Sequence, residues 1–318
     1  MDKNDTNVLL KGRSSSTCIR KGYQLYTDNF KSIFRYIFLA AIVYALVYGA
    51  AGTYASIKTP ELVMMQMAAM QYPGEIYPQM LRMLWPFCVF PFALAAVSSV
   101  CAGFVFALLR QHSQTGAIPR SAKWLNWDGH AIWRTVKGSI FMTVVLALML
   151  VILLVPAVLC IIYIGMREGI VCLGLLTLLW LLLALPAEYG WFRYIMEDGH
   201  GYWKHLWSDY ATAMRYYGTV FIVTVICLIG IAVAWFITYI PSGILGAANM
   251  QAHLGVVLYG DNLGMPGYIV PLTYAVFAAA SFCQLFIHIT LLFPLYYMYG
   301  SIKAKEEGRK KQTWLDRQ

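Results

Sequence analysis

The stretch SIFMTVVLALMLVILLVPAVLCIIYI, residues 139–164, is followed by the short segment GMREG at 165–169 and then by IVCLGLLTLLWLLLALPAEY at 170–189. Both outer stretches contain long apolar runs, and a membrane-spanning helix needs about 20 such residues. Because the connection is so short, the two segments must form a close antiparallel hairpin of helices. This hairpin predicts the fold class, an all-α polytopic membrane protein.

The composition of the whole chain supports the same prediction. Of its 318 residues, 60% are hydrophobic and 12% are charged, whereas soluble domains carry roughly 25% charged residues. The first thirty residues are polar, so we expect no cleavable signal peptide. Six segments are apolar enough to span a bilayer: about 34–57, 84–109, 139–164, 170–189, 218–240 and 270–299.

The positions of the basic residues predict the orientation in the membrane. If both termini are cytoplasmic, 21 of the 24 Lys and Arg residues lie on the cytoplasmic side. Only Lys58, Arg82 and Arg167 then face the other side. This bias is typical of a multi-pass protein of the cell inner membrane. The net charge of +9 is explained by contact with anionic membrane lipids, so nucleic acid is not expected as a partner.

Two short motifs indicate an internal repeat. DGHAIWR begins at Asp128 and DGHGYWK begins at Asp198, each before an odd-numbered span. Upstream, GYQLYTDNFKSIF (22–34) aligns without gaps with GHAIWRTVKGSIF (129–141). The pattern predicts three hairpin repeats, each led by an amphipathic interfacial segment. The expected organisation is a disordered N-terminus at 1–20, repeats at about 21–109, 128–189 and 198–300, and a basic cytoplasmic tail at 301–318.

The motif residues admit two interpretations. In the structural one, Asp begins a helix and accepts its free N–H groups, Trp lies at headgroup depth, and the following Lys or Arg reaches lipid phosphate. In the functional one, His and Asp form a chemical pair. The first repeat has Lys21 and Tyr23 in place of Asp and His, which favours the structural interpretation. The candidate residues are Asp128, His130, Trp133, Asp198, His200 and Trp203.

The recurring pattern G-x-x-x-[aromatic]…[SG]-[IV]-F before each odd span resembles bacterial six-helix membrane proteins of largely unknown function. That group is similar to the membrane domain attached to some glycerophosphodiester phosphodiesterases. The resemblance covers about 20–300 and implies the six-helix fold. We expect no soluble phosphodiesterase domain after Tyr299, and the resemblance transfers no catalytic residue.

The sixth span contains a second candidate site in SFCQLFIHIT, 281–290. Gln284 and His288 are four residues apart and therefore share one face of a helix. Polar groups in hydrocarbon need partners, so we expect both side chains to point into the bundle. One interpretation is a proton or substrate site, and the other is an interhelical hydrogen bond that fixes packing.

The two long outer loops, 58–83 and 241–269, are candidate surfaces for protein partners or for a homo-oligomer. The first contains Met64, Met67 and Met70, a spacing that suits Cu(I) or an adaptable apolar face. The chain has no Walker, HExxH or GxSxG motif and no metal-ligand spacing. No metal or cofactor is therefore predicted, and no motif identifies an enzymatic activity. The sequence favours a transport-related protein or a membrane scaffold. The alternatives are a membrane enzyme acting on lipid and a subunit that binds proteins through these loops.

Overall fold

The computed structural model describes residues 9–69, 73–118, 128–163, 165–259 and 266–316. Within these ranges the chain forms ten α-helices and no β-strand, which confirms the all-α prediction. The helices are α1 Ser15–Asp28, α2 Phe30–Ala69, α3 Pro73–Thr115, α4 Gly129–Tyr163, α5 Met166–Ala184, α6 Ala187–Met196, α7 Tyr202–Arg215, α8 Tyr217–Tyr259, α9 Ile269–Ile289 and α10 Leu292–Leu315.

In the part of the chain that the structure describes, six helical stretches are long and apolar enough to cross a membrane. The chain is therefore an integral, multi-pass membrane protein, and the prediction of six spans is confirmed. The stretches are Phe30–Gln66, Ile76–Thr115, Gly129–Pro156, Met166–Met196, Tyr217–Ala252 and Ile269–Leu315.

Several helices continue well beyond the predicted spans. α2 has 40 residues and α8 has 43, which correspond to about 60 Å at 1.5 Å per residue and exceed a hydrocarbon core of about 30 Å. Much of the two predicted outer loops is therefore helical. Hydropathy marks only the apolar part of a helix, and Pro60 and Pro241 lie inside these helices without ending them. Met70 and the side chain of Met67 lie outside the described residues.

From residue 9 onward the N-terminal region is more ordered than expected, and the predicted C-terminal tail is largely helical. Ser14 caps the start of α1, where its side chain accepts a hydrogen bond from the N–H of Thr17 at 3.4 Å. Cys18 is fully buried. The expectation of disorder over 1–20 is therefore wrong for residues 9–20. At the other end, α10 extends through most of the predicted tail, as far as Leu315.

Packing of α1 against α10 explains this order. A Cβ atom added at Gly22 would lie 2.4 Å from the backbone nitrogen of Pro294, so only glycine permits the close approach of these helices. The backbone N–H of Arg13 donates to Oγ of Ser301 at 2.8 Å. The N-terminal segment is thus fixed to the C-terminal helix by contacts that hydropathy does not detect.

The chain divides into two compact units. The first unit comprises the residues up to Tyr36, those from Ala102 to Ile229 and those from Thr290 onward. In it α4 packs against α5 and α6, and α6 packs against α7 and α10. The second unit comprises Ile37–Cys101 and Gly230–Ile289, and it includes α9.

The predicted hairpin of the third and fourth spans is present as α4 and α5. Gly165, directly before α5, has φ +147, a conformation that L-residues rarely adopt. Only 6% of the most apolar part of α4 and 11% of that of α5 is buried, compared with 44% for α3. Since both helices are apolar on all sides, most of their surface is suited to contact with acyl chains.

Candidate functional site

The two D-G-H motifs meet in the first unit. Asp128 precedes α4, and its Oδ1 accepts a hydrogen bond from the N–H of Ala131 at 3.1 Å, as expected for a residue that begins a helix. His130 follows in the first turn, where its Nδ1 lies 3.7 Å from Oδ1 of Asp198. Gly199 has φ +81 and turns the chain between α6 and α7. The histidine of one motif thus faces the aspartate of the other.

Asp198 does not begin a helix, contrary to the expectation from its motif. α7 begins at Tyr202, and Gly201 occupies the N-cap position. The Asp198 carboxylate instead accepts a hydrogen bond from Nη2 of Arg110 and lies 3.8 Å from Nη1 of Arg134. The reason is the turn at Gly199, which separates Asp198 from the start of α7 and directs it towards α3 and α4.

Arg134, the last residue of the first motif, satisfies backbone groups at the end of α6. Its guanidinium donates to the carbonyl oxygens of Tyr194, Glu197 and His200, and it lies over the Tyr194 ring at 4.6 Å. The last carbonyls of a helix lack intrahelical partners and carry partial negative charge. The side chain of Arg134 is only 12% exposed, so the expectation that this residue reaches lipid phosphate is wrong.

His200 forms a buried pair with an aspartate that the sequence did not identify. Its Nε2 lies 2.7 Å from Oδ2 of Asp209, and Nη1 of Arg193 donates to Oδ1 of Asp209, also at 2.7 Å. Asp209 is 2% exposed. The His205 ring stacks on His200 with centroids 4.1 Å apart. These contacts fix α7 to α6 across the turn at Gly199.

Glu197 connects the same turn to α10. Its carboxylate accepts hydrogen bonds from the Tyr299 hydroxyl at 2.7 Å and from Arg193 at 3.2 Å, and it pairs with Lys303 at 2.9 Å. Burial opposes the charged form of Glu197, but the hydrogen bonds from Lys303 and Tyr299, with the charges of Lys303 and Arg193, outweigh it and lower the pKa to about 2. The ten residues that make these contacts are called the motif cluster: Arg110, His130, Arg134, Arg193, Glu197, Asp198, His200, Asp209, Tyr299 and Lys303.

The two motif tryptophans have largely exposed rings. Trp133 is 58% exposed and Trp203 is 50% exposed. Lys137 lies over the Trp133 ring at 5.0 Å, and the Trp203 ring is 5.6 Å from that of Phe141. Exposed indole rings suit the headgroup region, and the depth of the two rings in the membrane stays a prediction.

The leading segments of the three predicted repeats are organised differently. The first and third are separate helices, α1 and α7, each followed by one residue and then by a spanning helix. In the second, α4 runs from Gly129 through the span without a break. The aligned glycines also differ, because Gly22 lies mid-helix against Pro294, whereas a Cβ atom added at Gly129 would meet no atom of another segment within 4 Å among the described residues. The three-repeat organisation stays a prediction.

The sixth-span candidates, in the second unit, point in different directions. Gln284 is 2% exposed, and its Nε2 has no hydrogen-bond partner within the described part of the chain. His288 is exposed, and its Nδ1 lies 2.8 Å from the carbonyl oxygen of Gln284 in the same helix. The expectation that His288 points into the bundle is therefore wrong.

The position of His288 along α9 explains its exposure. The rings of Phe282 and Phe38 are 6.0 Å apart, and Phe38 follows Arg35 by three residues in α2. His288 lies six residues beyond Phe282, about 9 Å further along α9. The depth of His288 in the membrane stays a prediction. At headgroup depth an imidazole would find water and lipid polar groups and would need no protein partner.

Three of the cavities that described residues line bear on the candidate sites. One, in the first unit, has a volume of about 250 Å³ and a polar lining. Two larger ones, of about 420 and 530 Å³, lie in the second unit near Tyr48 and Tyr54 respectively. Gln284 and His288 line none of these three. The 250 Å³ cavity is lined by Tyr36, Ala107, Arg110, Gln111, Gln114 and Asp128.

The motif cluster is rich in charge but offers no metal site. Within the described ranges, no group of three or more His, Cys, Asp or Glu side chains is arranged to hold a metal ion. Only four of the ten cluster residues belong to the sequence motifs. The other six were missed because they lie in helices and turns with no recurring pattern: Arg110, Arg193, Glu197, Asp209, Tyr299 and Lys303.

Comparison with known proteins gives this chain no relative. No protein-family model matches it, no curated protein matches it, and no solved structure matches it.

Proposed function

We propose that this chain is a scaffold of the cell inner membrane, with both termini in the cytoplasm and with the motif cluster as its rigid centre. The proposal is supported by the contacts that the candidate residues make within the protein. His130 and Asp198 face each other, His200 is paired with Asp209, and Arg134 binds the end of α6. Each interaction joins two segments of the chain, which supports a structural role for the motifs.

The burial of His200 supports a scaffold over a lipid-modifying enzyme. A general base must reach the proton it removes, in a plausible position of the substrate. The His200 side chain is only 7% exposed, and its Nε2 is already engaged by Asp209. His130 is 63% exposed, but its aspartate partner also pairs with Arg110 and Arg134. A carboxylate shared in this way is a weak activator of a histidine.

The orientation is proposed from charge. The basic residues of the motif cluster and of α10 belong to the segments that hold 21 of the 24 Lys and Arg residues. Such residues are favoured on the cytoplasmic side and interact with anionic lipids there. The exposed α4–α5 hairpin supports embedding in lipid, and it is also a surface on which a second copy could pack.

Distance measurements between two spin labels test the scaffold proposal. Thr115 and Ser208 are exposed residues of the first unit and lie outside the motif cluster. With both replaced by labelled cysteines in a cysteine-free background, we expect one narrow distance distribution in lipid nanodiscs. The same distribution is expected at pH 5 and pH 8, with or without added membrane-lipid extract. Two interconverting populations would contradict a rigid scaffold and favour alternating access.

A transport-related function is the second candidate, and one observation in the second unit favours it. Ser242, Thr273 and Gln284 are almost completely buried, and each has a side-chain polar atom without a partner within the described part of the chain. Buried polar groups in proteins are nearly always hydrogen-bonded. Unpaired ones in a spanning region are suited to contact with a polar substrate or with water. Uptake assays in proteoliposomes distinguish this candidate, since a scaffold transports nothing.

A further inference from the structure

We propose that the 250 Å³ cavity beside Arg110 binds a zwitterionic headgroup of the phosphoethanolamine class, with the phosphate at Arg110 and the ammonium group at Asp128. This binding site goes beyond the scaffold function and does not depend on it. A scaffold without such a site, or a transporter with one, would each be compatible with the fold.

The first argument is an excess of positive charge beside the cavity. Arg110 and Arg134 share a single carboxylate, that of Asp198. Only Nη2 of Arg110 is engaged there, and its Nη1, although buried, has no partner among the residues that the structure describes. Arg110 as a whole is 8% exposed and lines the cavity. A buried guanidinium with a free donor is suited to a phosphate, which offers several acceptor oxygens.

The second argument is the negative charge on the same cavity wall. Asp128 lines the cavity, and its Oδ1 accepts the N–H of Ala131. Within the described part of the chain Asp128 forms no ion pair, and Arg110 is paired with Asp198 instead. The cavity thus presents a cation and an anion that do not neutralise each other. A ligand that carries both charges satisfies both groups, whereas a simple anion would be repelled by Asp128.

Size and lining also suit a headgroup. About 250 Å³ is slightly below the range of roughly 300–1,000 Å³ that is typical of sites for drug-sized molecules. Gln111 and Gln114 add amide groups to the lining, and each amide both donates and accepts hydrogen bonds. A headgroup can occupy such a cavity while its acyl chains remain in the bilayer. The same chemistry would also accept free phosphoethanolamine.

The first experiment compares headgroups. The full chain is purified in detergent and titrated with phosphatidylethanolamine, phosphatidylcholine and soluble phosphoethanolamine, with binding followed by native mass spectrometry. A hydrogen bond between an ammonium group and a carboxylate is lost with the quaternary amine of choline, so we expect phosphatidylethanolamine to bind about tenfold tighter. Equal affinity for the two lipids would overturn the proposal. The soluble compound shows whether the acyl chains contribute, which identifies the lipid or the free molecule as the natural source.

The second experiment removes each charge separately. Asp128→Asn keeps the helix cap, because Asn caps helices as well as Asp does, but it should abolish the preference for ethanolamine over choline. Glu307→Gln is the control, since this exposed residue of α10 lies outside the cavity lining and makes the same change in charge. If the Asp128→Asn protein prefers phosphatidylethanolamine over phosphatidylcholine as strongly as the Glu307→Gln protein does, the ammonium site is excluded.

The phosphate site requires a variant in which Asp198 is not left as a carboxylate without Arg110, while Arg134 keeps its hydrogen bonds to the carbonyl oxygens of Tyr194 and Glu197. Asp198→Asn alone frees Arg110, so phosphate affinity should be retained or increased. The double variant Arg110→Gln with Asp198→Asn removes both partners and should weaken binding about tenfold, with folding checked by circular dichroism and gel filtration. Loss of binding in Asp198→Asn, or normal binding in the double variant, would overturn the role of Arg110.

Discussion

His130 Nδ1 lies 3.7 Å from Asp198 Oδ1, so the histidine of the first D-G-H motif faces the aspartate of the second. The two copies are seventy positions apart and have become different parts of one cluster. Asp128 caps α4, whereas Asp198 pairs with arginines from α3 and α4. His130 is exposed, whereas His200 is buried against Asp209. A repeated sequence has thus produced complementary roles.

Replacing Arg134 with Gln should destabilise the protein by about 2–4 kcal/mol. The change removes a guanidinium that satisfies the last carbonyls of α6 and leaves them without a charged donor. Lys137→Gln is the matched control, because Lys137 is exposed and lies over the face of the Trp133 ring. Thermal unfolding of the purified protein in detergent should place Arg134→Gln clearly below the control. Equal thermal-unfolding midpoints for the two variants would show that the hydrogen bonds of Arg134 at the end of α6 contribute little to stability.

Single introduced cysteines at Ser113 and Gln251 should report opposite sides of the membrane. Ser113 lies near the end of α3 among the basic segments, and Gln251 lies near the end of α8. In intact cells, a membrane-impermeant maleimide should label only the cysteine at 251. Labelling of both positions from outside, or of position 113 alone, would contradict the proposed orientation.

Acid should destabilise the protein partly through Glu197. Its folded-state pKa is lowered to about 2, from an ordinary value of 4.5. A carboxyl group whose pKa is lowered by folding contributes stability that is complete above pH 4.5 and is lost as the pH falls towards 2. The Glu197→Gln variant should therefore be less stable than the wild type at pH 6. Its stability should depend less on pH between 4.5 and 2, as measured by denaturant unfolding.

Glu307→Gln is again the appropriate comparison, because it removes a carboxylate from an exposed site of α10. This variant should follow the wild-type pH profile. A Glu197→Gln profile that runs parallel to the wild type over the same window would exclude the ion pairs of Glu197 as a source of acid sensitivity.

Two glycine substitutions should have effects of opposite sign. Gly22→Ala places a Cβ atom 2.4 Å from Pro294 of α10, so we expect it to destabilise the protein by about 1–3 kcal/mol through overpacking. Gly218→Ala in α8 meets no atom within 4 Å and should stabilise by about 0.5–1 kcal/mol, because alanine is the better helix former. Thermal midpoints measured side by side test the pair. A neutral Gly22→Ala would show that α1 is not fixed against α10.

The length and apolar composition of the segments were sufficient to predict the membrane-spanning helices, because both properties are set by the bilayer itself. It did not predict how far helices continue beyond the bilayer. α10 carries polar and basic residues after Gly300 and still remains helical to Leu315. The order of α1 depends on the close approach of Gly22 to Pro294, two residues that are 272 positions apart. Local sequence contains no signal for such contacts.

The candidate site was predicted only in part, for a similar reason. The motifs drew attention to His130, Asp198 and His200, but they did not predict that the two motifs meet or which residues pair with them. Arg193 of α6 and Asp209 of α7 form an ion pair across the turn at Gly199, and neither residue belongs to a repeated pattern. A charged residue in a membrane protein acquires its role from the residues that pack against it. Those neighbours are determined by tertiary structure.

Variants of Gln284 distinguish most directly between the scaffold function and the transport function. Its Nε2 is buried without a partner among the described residues, and a buried unsatisfied amide costs about 1–3 kcal/mol. If the residue only packs, Gln284→Leu removes this penalty and should leave the protein equally stable or more stable. Gln284→Glu, of nearly the same shape, should destabilise it, because a carboxylate would be buried.

His288→Gln is the control on the same helix, and since His288 is exposed, a change there should shift the thermal midpoint only slightly. A stable, folded Gln284→Leu protein that no longer supports uptake in proteoliposomes would instead identify Gln284 as part of a transport path. A Gln284→Leu protein that is less stable than Gln284→Glu would contradict the packing interpretation, since the amide would then have a partner that leucine cannot replace.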